Sequence, residues 1–199
     1  VASLYNREKI NEIIKKITKN IFIPITVGGG IRSFKDAVDL FMSGADKIAI
    51  NSAAILKPNL IKKLALNFGS QSIVSSIQAK KINDKKWTAY YDSARENSTL
   101  DVIEWAKKCE ALGAGEILVT SIDKDGTEEG FDEELAQEIS RNIKVPIIFS
   151  GGFNNLKDII SLNSTTNIDA YAIGTSLHKN NTTIKKLKKN LKQVKIDVR

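Results

Sequence analysis

Short apolar runs alternate along this chain with longer segments in which apolar residues recur every three or four positions. An apolar run of four to seven residues, rich in Ile and Val and bounded by Gly, Pro or polar residues, is typical of a buried strand in a parallel sheet. The strands that these runs predict span residues 23–27, 47–51, 72–77, 116–122, 145–151 and 170–174.

The segments between the runs have the periodicity of amphipathic helices. Apolar positions on one face predict the first helix over 6–20, and Ser33 and Gly44 are placed to cap and to end the second. A lysine-rich amphipathic helix is predicted at the end of the chain. The other predicted helices lie around 58–67, 100–113, 131–142 and 156–162, and residues 80–92 predict a small hairpin.

Strand–helix alternation with short connections predicts an α/β protein with a parallel sheet. Two architectures satisfy it, an open doubly wound sheet and most of a (β/α)8 barrel. An internal repeat favours the barrel, because VGGGIRSFKDAVDLFMSGADKIAINSA and FSGGFNNLKDIISLNSTTNIDAYAIGTSL share one pattern. Each copy has a glycine pair after a strand, Lys-Asp in the next helix and Asp before the next strand: Lys35, Asp36 and Asp46 in one, Lys157, Asp158 and Asp169 in the other.

Composition narrows the class of protein. The chain has 199 residues and a formal net charge of +7, which suits an anionic partner. Since many lysines lie on the solvated face of the last helix, we expect a phosphorylated small molecule and not a nucleic acid. No signal peptide or membrane span is predicted, and the single Cys109, expected in the core, excludes an internal disulfide framework, so we expect a cytoplasmic protein.

The glycines at 28–30 and 151–152 fall at the carboxyl ends of predicted strands and directly before helices. In a (β/α)8 barrel the functional site lies at this end of the strands. Backbone without side chains lets an anion approach the N–H groups of the following helix. Residues 51–52 and 174–175 end the next strands and complete two equivalent cradles, so the pattern predicts two phosphates. The alternative is a pair of tight turns with no ligand.

We expect no metal and no cofactor. The sequence DKDG begins like a calcium-binding loop, but the later ligand positions are missing and a strand precedes it.

The motifs ITVGGGIRSFKDA, GADKIAINSAA, FGSQSIV, GAGEILVTSIDKDGT and FSGG resemble the family of cyclase subunits of imidazole glycerol phosphate synthase. The resemblance implies a (β/α)8 TIM barrel of the histidine-biosynthesis type and a lyase that takes ammonia from a glutaminase partner. The implied substrate is a bisphosphorylated ribulosyl formimino nucleotide. Residues 85–108 are closer to relatives that work in surface-sugar amination.

Matching motifs carry the family's site to numbered positions of this chain. One phosphate is implied at Gly30, Asn51 and Ser52, and the other at Asp125, Gly126, Gly152, Gly174 and Thr175. Lys47 and Glu116 match the ammonia entrance, and Asp46 matches a contact to the glutaminase. The alternative for these three charged residues is ordinary pairing at the surface.

The resemblance implies two catalytic aspartates, one at the end of the first strand and one at the end of the fifth, that act as general acid and base, and the chain departs from the family pattern at both. The resemblance places Val1 just after the second strand, so we expect residues 1–199 to form a single incomplete barrel domain without the first two strands and first helix. The fifth-strand aspartate is replaced by Gln78, which cannot accept a proton. Enzymatic activity is therefore open, and the alternatives are an ammonia-channelling scaffold for amidation of a surface-polysaccharide sugar or an inactive phosphate-binding fragment. An intact six-strand open sheet is the alternative architecture.

Overall fold

The computed structural model describes residues 7–198 as helices packed around one sheet. All six predicted strands are present, and the predicted hairpin is followed by one further strand that the sequence analysis missed. The strands are β1 (Thr26–Gly28), β2 (Lys47–Ile50), β3 (Ile73–Asn83), β4 (Lys86–Tyr91), β5 (Glu96–Asp101), β6 (Glu116–Ser121), β7 (Ile147–Ser150) and β8 (Ala170–Ala172).

The order of the wall strands is β1-β2-β3-β6-β7-β8, and every neighbouring pair is parallel. A doubly wound sheet reverses its strand order at a switch point, whereas the wall of a barrel follows the chain in one direction. The sheet is therefore the curled wall of a (β/α)8 barrel, as predicted, and the open doubly wound alternative is wrong. The hairpin of β4 and β5 continues from β3 in antiparallel pairing.

Helices connect successive wall strands. None of the helices within residues 7–198 is long and apolar enough to span a membrane. Predicted residue 6 of the first helix lies outside the described residues, and the short α3 and α8 were not predicted. The helices are α1 (Arg7–Thr18), α2 (Phe34–Met42), α3 (Ser52–Leu56), α4 (Asn59–Phe68), α5 (Val102–Ala111), α6 (Glu133–Asn142), α7 (Leu156–Thr165), α8 (Thr175–His178) and α9 (Ile184–Gln193).

The core lies between the wall and the helices. Alternate strand residues such as Ile48, Ile77 and Phe149 are fully buried on the helix side of the sheet. Cys109 of α5 is in this core, as expected, and accepts a hydrogen bond from the Ser75 hydroxyl at 3.0 Å. Burial raises the pKa of the Cys109 thiol to about 12, so the group is a packing residue and not a nucleophile.

Every wall strand differs in length from its predicted range, and for two of them the reason is identifiable. β1 begins at Thr26 instead of residue 23, since Pro24 has no N–H and the Ile25 N–H is bonded to the Asp46 carboxylate at 2.8 Å. β3 is 11 residues long because its second half pairs with β4 of the hairpin.

The wall remains open between β8 and β1. Within the described residues, each of these strands has a partner on one side only. Before β1, Phe22 is 95% exposed and Ile23 is 70% exposed. Six strands of a barrel wall thus leave two unpaired edges and an apolar surface beside one of them.

Candidate functional site

The sequence repeat is also a repeat of structure at the start of two helices. Ser33 and Asp36 form a capping box at α2, and Asn155 and Asp158 form one at α7. The Asp36 carboxylate accepts the last two N–H groups before α2, both at 2.8 Å. The Asp158 carboxylate accepts the corresponding two N–H groups before α7, at 2.8 and 2.9 Å. Each box therefore fixes the loop that leaves a wall strand.

The aspartates before β2 and β8 repeat a second contact. Asp46 accepts the Ile25 N–H at 2.8 Å, and Asp169 accepts the Ile147 N–H at 2.9 Å. Both carboxylates hold the start of the neighbouring strand at the amino-terminal end of the wall. Asp46, expected at a glutaminase contact, lies on this end and is exposed.

The glycines after β1 and β7 have backbone conformations that other residues rarely adopt. Gly29 and Gly30 have φ of 95° and 70°, and Gly151 and Gly152 have 98° and 100°. A Cβ at Gly152 would collide with the Gly130 carbonyl carbon and oxygen. Both loops lie at the carboxyl ends of the wall strands, where the barrel architecture places functional sites.

The first depression is a cavity of about 810 Å³ beside the loop after β1. It brings together all four residues predicted for this part of the rim. It also contains two cations and the hairpin tip, defined as residues 91–96, which the sequence analysis did not assign to the site. The polar lining consists of Gly30, Arg32, Asn51, Ser52, Lys57, Gln78, Tyr91, Asp92, Ser93 and Glu96, among others.

Gln78 is a hydrogen-bond acceptor in this depression. Its Oε1 accepts from Asn51 Nδ2 at 2.9 Å and from the Ala94 N–H at 3.0 Å. Asn51 Nδ2 also donates to the Tyr90 carbonyl at 3.2 Å, so both of its hydrogens are donated to protein oxygens. The Ser52 oxygen accepts the Asp92 N–H at 3.0 Å. Ser52 thus keeps a hydroxyl hydrogen for a ligand, whereas the Asn51 amide group does not.

The charges around the first depression include two cations without acidic partners. Within the described residues, neither Arg32 nor Lys57 has a carboxylate within salt-bridge distance. Asp92 and Glu96 supply carboxylates on the hairpin side. Arg32 lies two residues after Gly30, in the loop before α2, and this closeness to the glycines is the sequence signal that could have identified it.

The second depression lies between the loops after β6, β7 and β8. It brings together the predicted residues Asp125, Gly126, Gly152, Gly174 and Thr175. Its free volume is about 20 Å³, close to the space that one water molecule requires. A phosphate is larger than this free volume.

Glu128 closes the second depression. Its carboxylate accepts from Lys179 at 2.6 Å, from Ser176 at 2.8 Å and from Asn181 at 2.9 Å. The hydrogen bond from Lys179, followed by that from Ser176, lowers the pKa of Glu128 below its usual value. No sequence motif marks Glu128, because its partners are distant along the chain, at separations of 48, 51 and 53 residues.

The opposite end of the wall holds the residues predicted at an ammonia entrance. Lys47 at the start of β2 and Glu116 at the start of β6 form a half-buried ion pair. β3 lies between these two strands, so the pair spans it on the inner side of the wall. Within residues 7–198, no group of three or more His, Cys, Asp or Glu side chains is arranged to hold a metal ion.

Comparison with known proteins shows that this chain is similar to one protein family and to one named subunit from several bacteria. The histidine biosynthesis protein family matches residues 1–183. Imidazole glycerol phosphate synthase subunit HisF of Bacillus cereus (strain G9842) is 43% identical over 198 residues, which cover 100% of this chain and 79% of that protein. The same subunit of Legionella pneumophila is 51% identical over 158 residues, which cover 79% of this chain and 74% of that protein.

Proposed function

We propose that this chain, which belongs to the histidine biosynthesis protein family, acts as the cyclase subunit of an imidazole glycerol phosphate synthase. The proposed substrate is a nucleotide with a phosphate at each end, and the proposed nitrogen donor is ammonia from a glutaminase partner. The relatives support a subunit role, since each is named as a subunit of a synthase.

The observation that carries the proposal is the pair of equivalent glycine loops on one rim of the wall. The first depression, with Arg32, Lys57 and the Ser52 hydroxyl, supplies positive charge and a hydrogen-bond donor for one phosphate. The second supplies backbone without side chains at Gly152 and Gly174 once Glu128 moves away. Two anion sites separated by the barrel mouth match a substrate that carries phosphate at both ends.

Ammonia is proposed to enter at the other end of the wall. The ion pair of Lys47 and Glu116 lies there on the inner side, and a glutaminase docked over Asp46 would deliver ammonia beside it. Neutral ammonia is small enough to pass along the inner face toward the rim, where it attacks the bound nucleotide. The ring closure and bond cleavage that follow both move protons.

Gln78 favours a second candidate function. A glutamine at the position of the family's carboxylate can orient groups but cannot carry a proton. An ammonia-channelling scaffold, which passes ammonia to a separate enzyme that modifies a surface sugar, needs the entrance and the docking face but not the acid or base.

Turnover measured with ammonium and the ribulosyl formimino nucleotide separates these functions. A cyclase releases the aminoimidazole carboxamide ribotide, which is followed by chromatography. Gln78→Asp, in a form that also carries the first-strand aspartate, is expected to raise turnover by about 10²–10⁴-fold. Strong turnover with Gln78 in place would make that carboxylate dispensable. Substrate binding without turnover in either form supports the scaffold, and absence of substrate binding overturns the cyclase proposal.

A further inference from the structure

The tip of the hairpin has an unfavourable backbone conformation. Asp92, Ser93 and Ala94 are consecutive, none is glycine, and their φ values are 50°, 60° and 64°. The left-handed region crowds the Cβ of an L-residue against its own backbone, so a run of three such residues persists only when the surroundings hold it.

Residues of the first depression hold the tip in place. The Ala94 N–H donates to Gln78 Oε1 at 3.0 Å, and the Asp92 N–H donates to Ser52 Oγ at 3.0 Å. Asn51 donates to the Tyr90 carbonyl at the end of β4 and to Gln78. The hairpin tip is therefore fastened to the middle of β3 and to the start of α3 by the same side chains that line the depression.

This fastening orients the Ser52 hydroxyl. An oxygen that accepts the Asp92 N–H on one side has its own hydrogen directed elsewhere, and the Ser52 side chain faces the depression. Asn51, whose amide hydrogens are both donated, is fixed beside it. A donor fixed before binding loses less freedom when an anion arrives, so the anion binds more tightly.

We infer that Gln78 is a positioning residue, which fastens the hairpin tip through its side-chain carbonyl and so keeps the Ser52 hydroxyl directed at the first depression. This role requires an acceptor, which a glutamine supplies at every pH. The inference rests on the anion site of the proposed function, and it gives Gln78 a task that is separate from proton transfer.

Amide hydrogen exchange followed by NMR tests the fastening. In Gln78→Met, which keeps the size and removes the acceptor, the Ala94 amide is expected to exchange roughly tenfold faster, as for the loss of one ordinary hydrogen bond. Gln78→Glu keeps the acceptor and is expected to retain slow exchange. Thr120→Val is the matched control, since Thr120 is the register partner of Gln78 on β6 and its side chain makes no hydrogen bond in the described residues.

Two results would overturn the fastening. One is unchanged Ala94 exchange in Gln78→Met, and the other is exchange in Gln78→Glu as fast as in Gln78→Met. Amides of Ile77 and Val119, in the buried core, distinguish local opening from unfolding. If they show that Gln78→Met unfolds, Gln78→Asn, which withdraws the acceptor by one methylene group, takes its place with the same expected result.

A titration with inorganic phosphate tests the consequence for binding. Gln78→Met is expected to bind phosphate roughly three- to tenfold more weakly than the parent protein, and Thr120→Val to bind it equally well. Equal affinity in Gln78→Met would overturn the positioning role even if the Ala94 amide exchanged faster. If the parent protein itself binds no phosphate, the anion site of the proposed function fails, while the exchange measurements still decide whether Gln78 fastens the hairpin.

Discussion

The capping box at α2 stabilises the fold and also holds the loop that borders the first depression. The Asp36 carboxylate accepts two backbone N–H groups at 2.8 Å, and it is 6% exposed. Its counterpart Asp158 at α7 accepts two N–H groups at 2.8 and 2.9 Å and is less deeply buried. Asp36→Ala and Asp158→Ala therefore remove the same contact from two environments of one protein.

The expected loss of stability is larger at α2. Loss of an ordinary capping residue costs about 0.5–2 kcal/mol. The cost is larger where the substitution removes two hydrogen bonds to a charged carboxylate and water cannot reach the two backbone N–H groups that are left unpaired. We therefore expect Asp36→Ala to lower the free energy of unfolding by about 2–3 kcal/mol and Asp158→Ala, whose loop is open to water, by about 1 kcal/mol.

Urea denaturation followed by tryptophan fluorescence measures both losses, because Trp87 and Trp105 are buried, with 1% and 2% exposure. Asp39→Ala is the matched control on α2, since the Asp39 side chain makes, among the residues that the structure describes, only an exposed ion pair with Lys35 at 3.4 Å. Such pairs contribute about 0.3–0.5 kcal/mol. If Asp36→Ala costs no more than Asp39→Ala, the carboxylate does not hold the glycine loop and the reasoning is wrong.

Three further features of the structure lead to predictions: the buried Cys109, the contacts of Glu128 and the open edge of the wall. Cys109 is expected to resist thiol reagents at pH 8 in the folded protein and to react after denaturation, because burial raises its pKa to about 12. Glu128→Ala is expected to open the second depression, so that sulfate appears there in crystals of the variant but not of the parent. The hydrogen bond from Lys179 lowers the pKa of Glu128. The contacts of the Glu128 carboxylate are therefore fully formed at pH values above the usual carboxyl pKa. They are lost only as the pH falls through the lowered pKa, which an NMR titration would show. The chain by itself is expected to self-associate in size-exclusion chromatography, and charged replacements of Phe22 and Ile23 to reduce this; a concentration-independent monomer would contradict it.

The pattern of apolar residues predicted those helices and strands that are specified by their own residues. Each wall strand was predicted because it is buried on the helix side, and α2 because Ser33 caps it and Gly44 ends it with φ of 105°. β5 was missed because its sequence ENSTLD is polar, and it is a strand only through pairing with β4. The short α3 and α8 have too few residues for a periodic pattern.

The rim residues were predictable for a topological reason. Parallel strands bring their carboxyl ends to one edge, so a motif after each strand places its residues near those of the next. The hairpin tip was not predictable in this way, because its position depends on hydrogen bonds to Ser52 and Gln78, which lie 40 and 16 residues away along the chain. Glu128 was missed for the same reason.

Anion binding and proton transfer are physically separate at this rim. The glycine loops, Arg32 and Ser52 supply binding through backbone shape, charge and a hydroxyl donor, and none of these groups needs to carry a proton in order to bind an anion. A glutamate at position 78 would accept the same two hydrogen bonds, whereas the shorter aspartate would not reach them, and either would add negative charge close to the proposed phosphate. A glutamine accepts them without that charge, so its presence favours anion binding while it removes a proton carrier. A carboxylate at this position should therefore lower the affinity for phosphate and raise turnover. Because the two quantities change in opposite directions, the effect on binding can be told apart from the effect on catalysis.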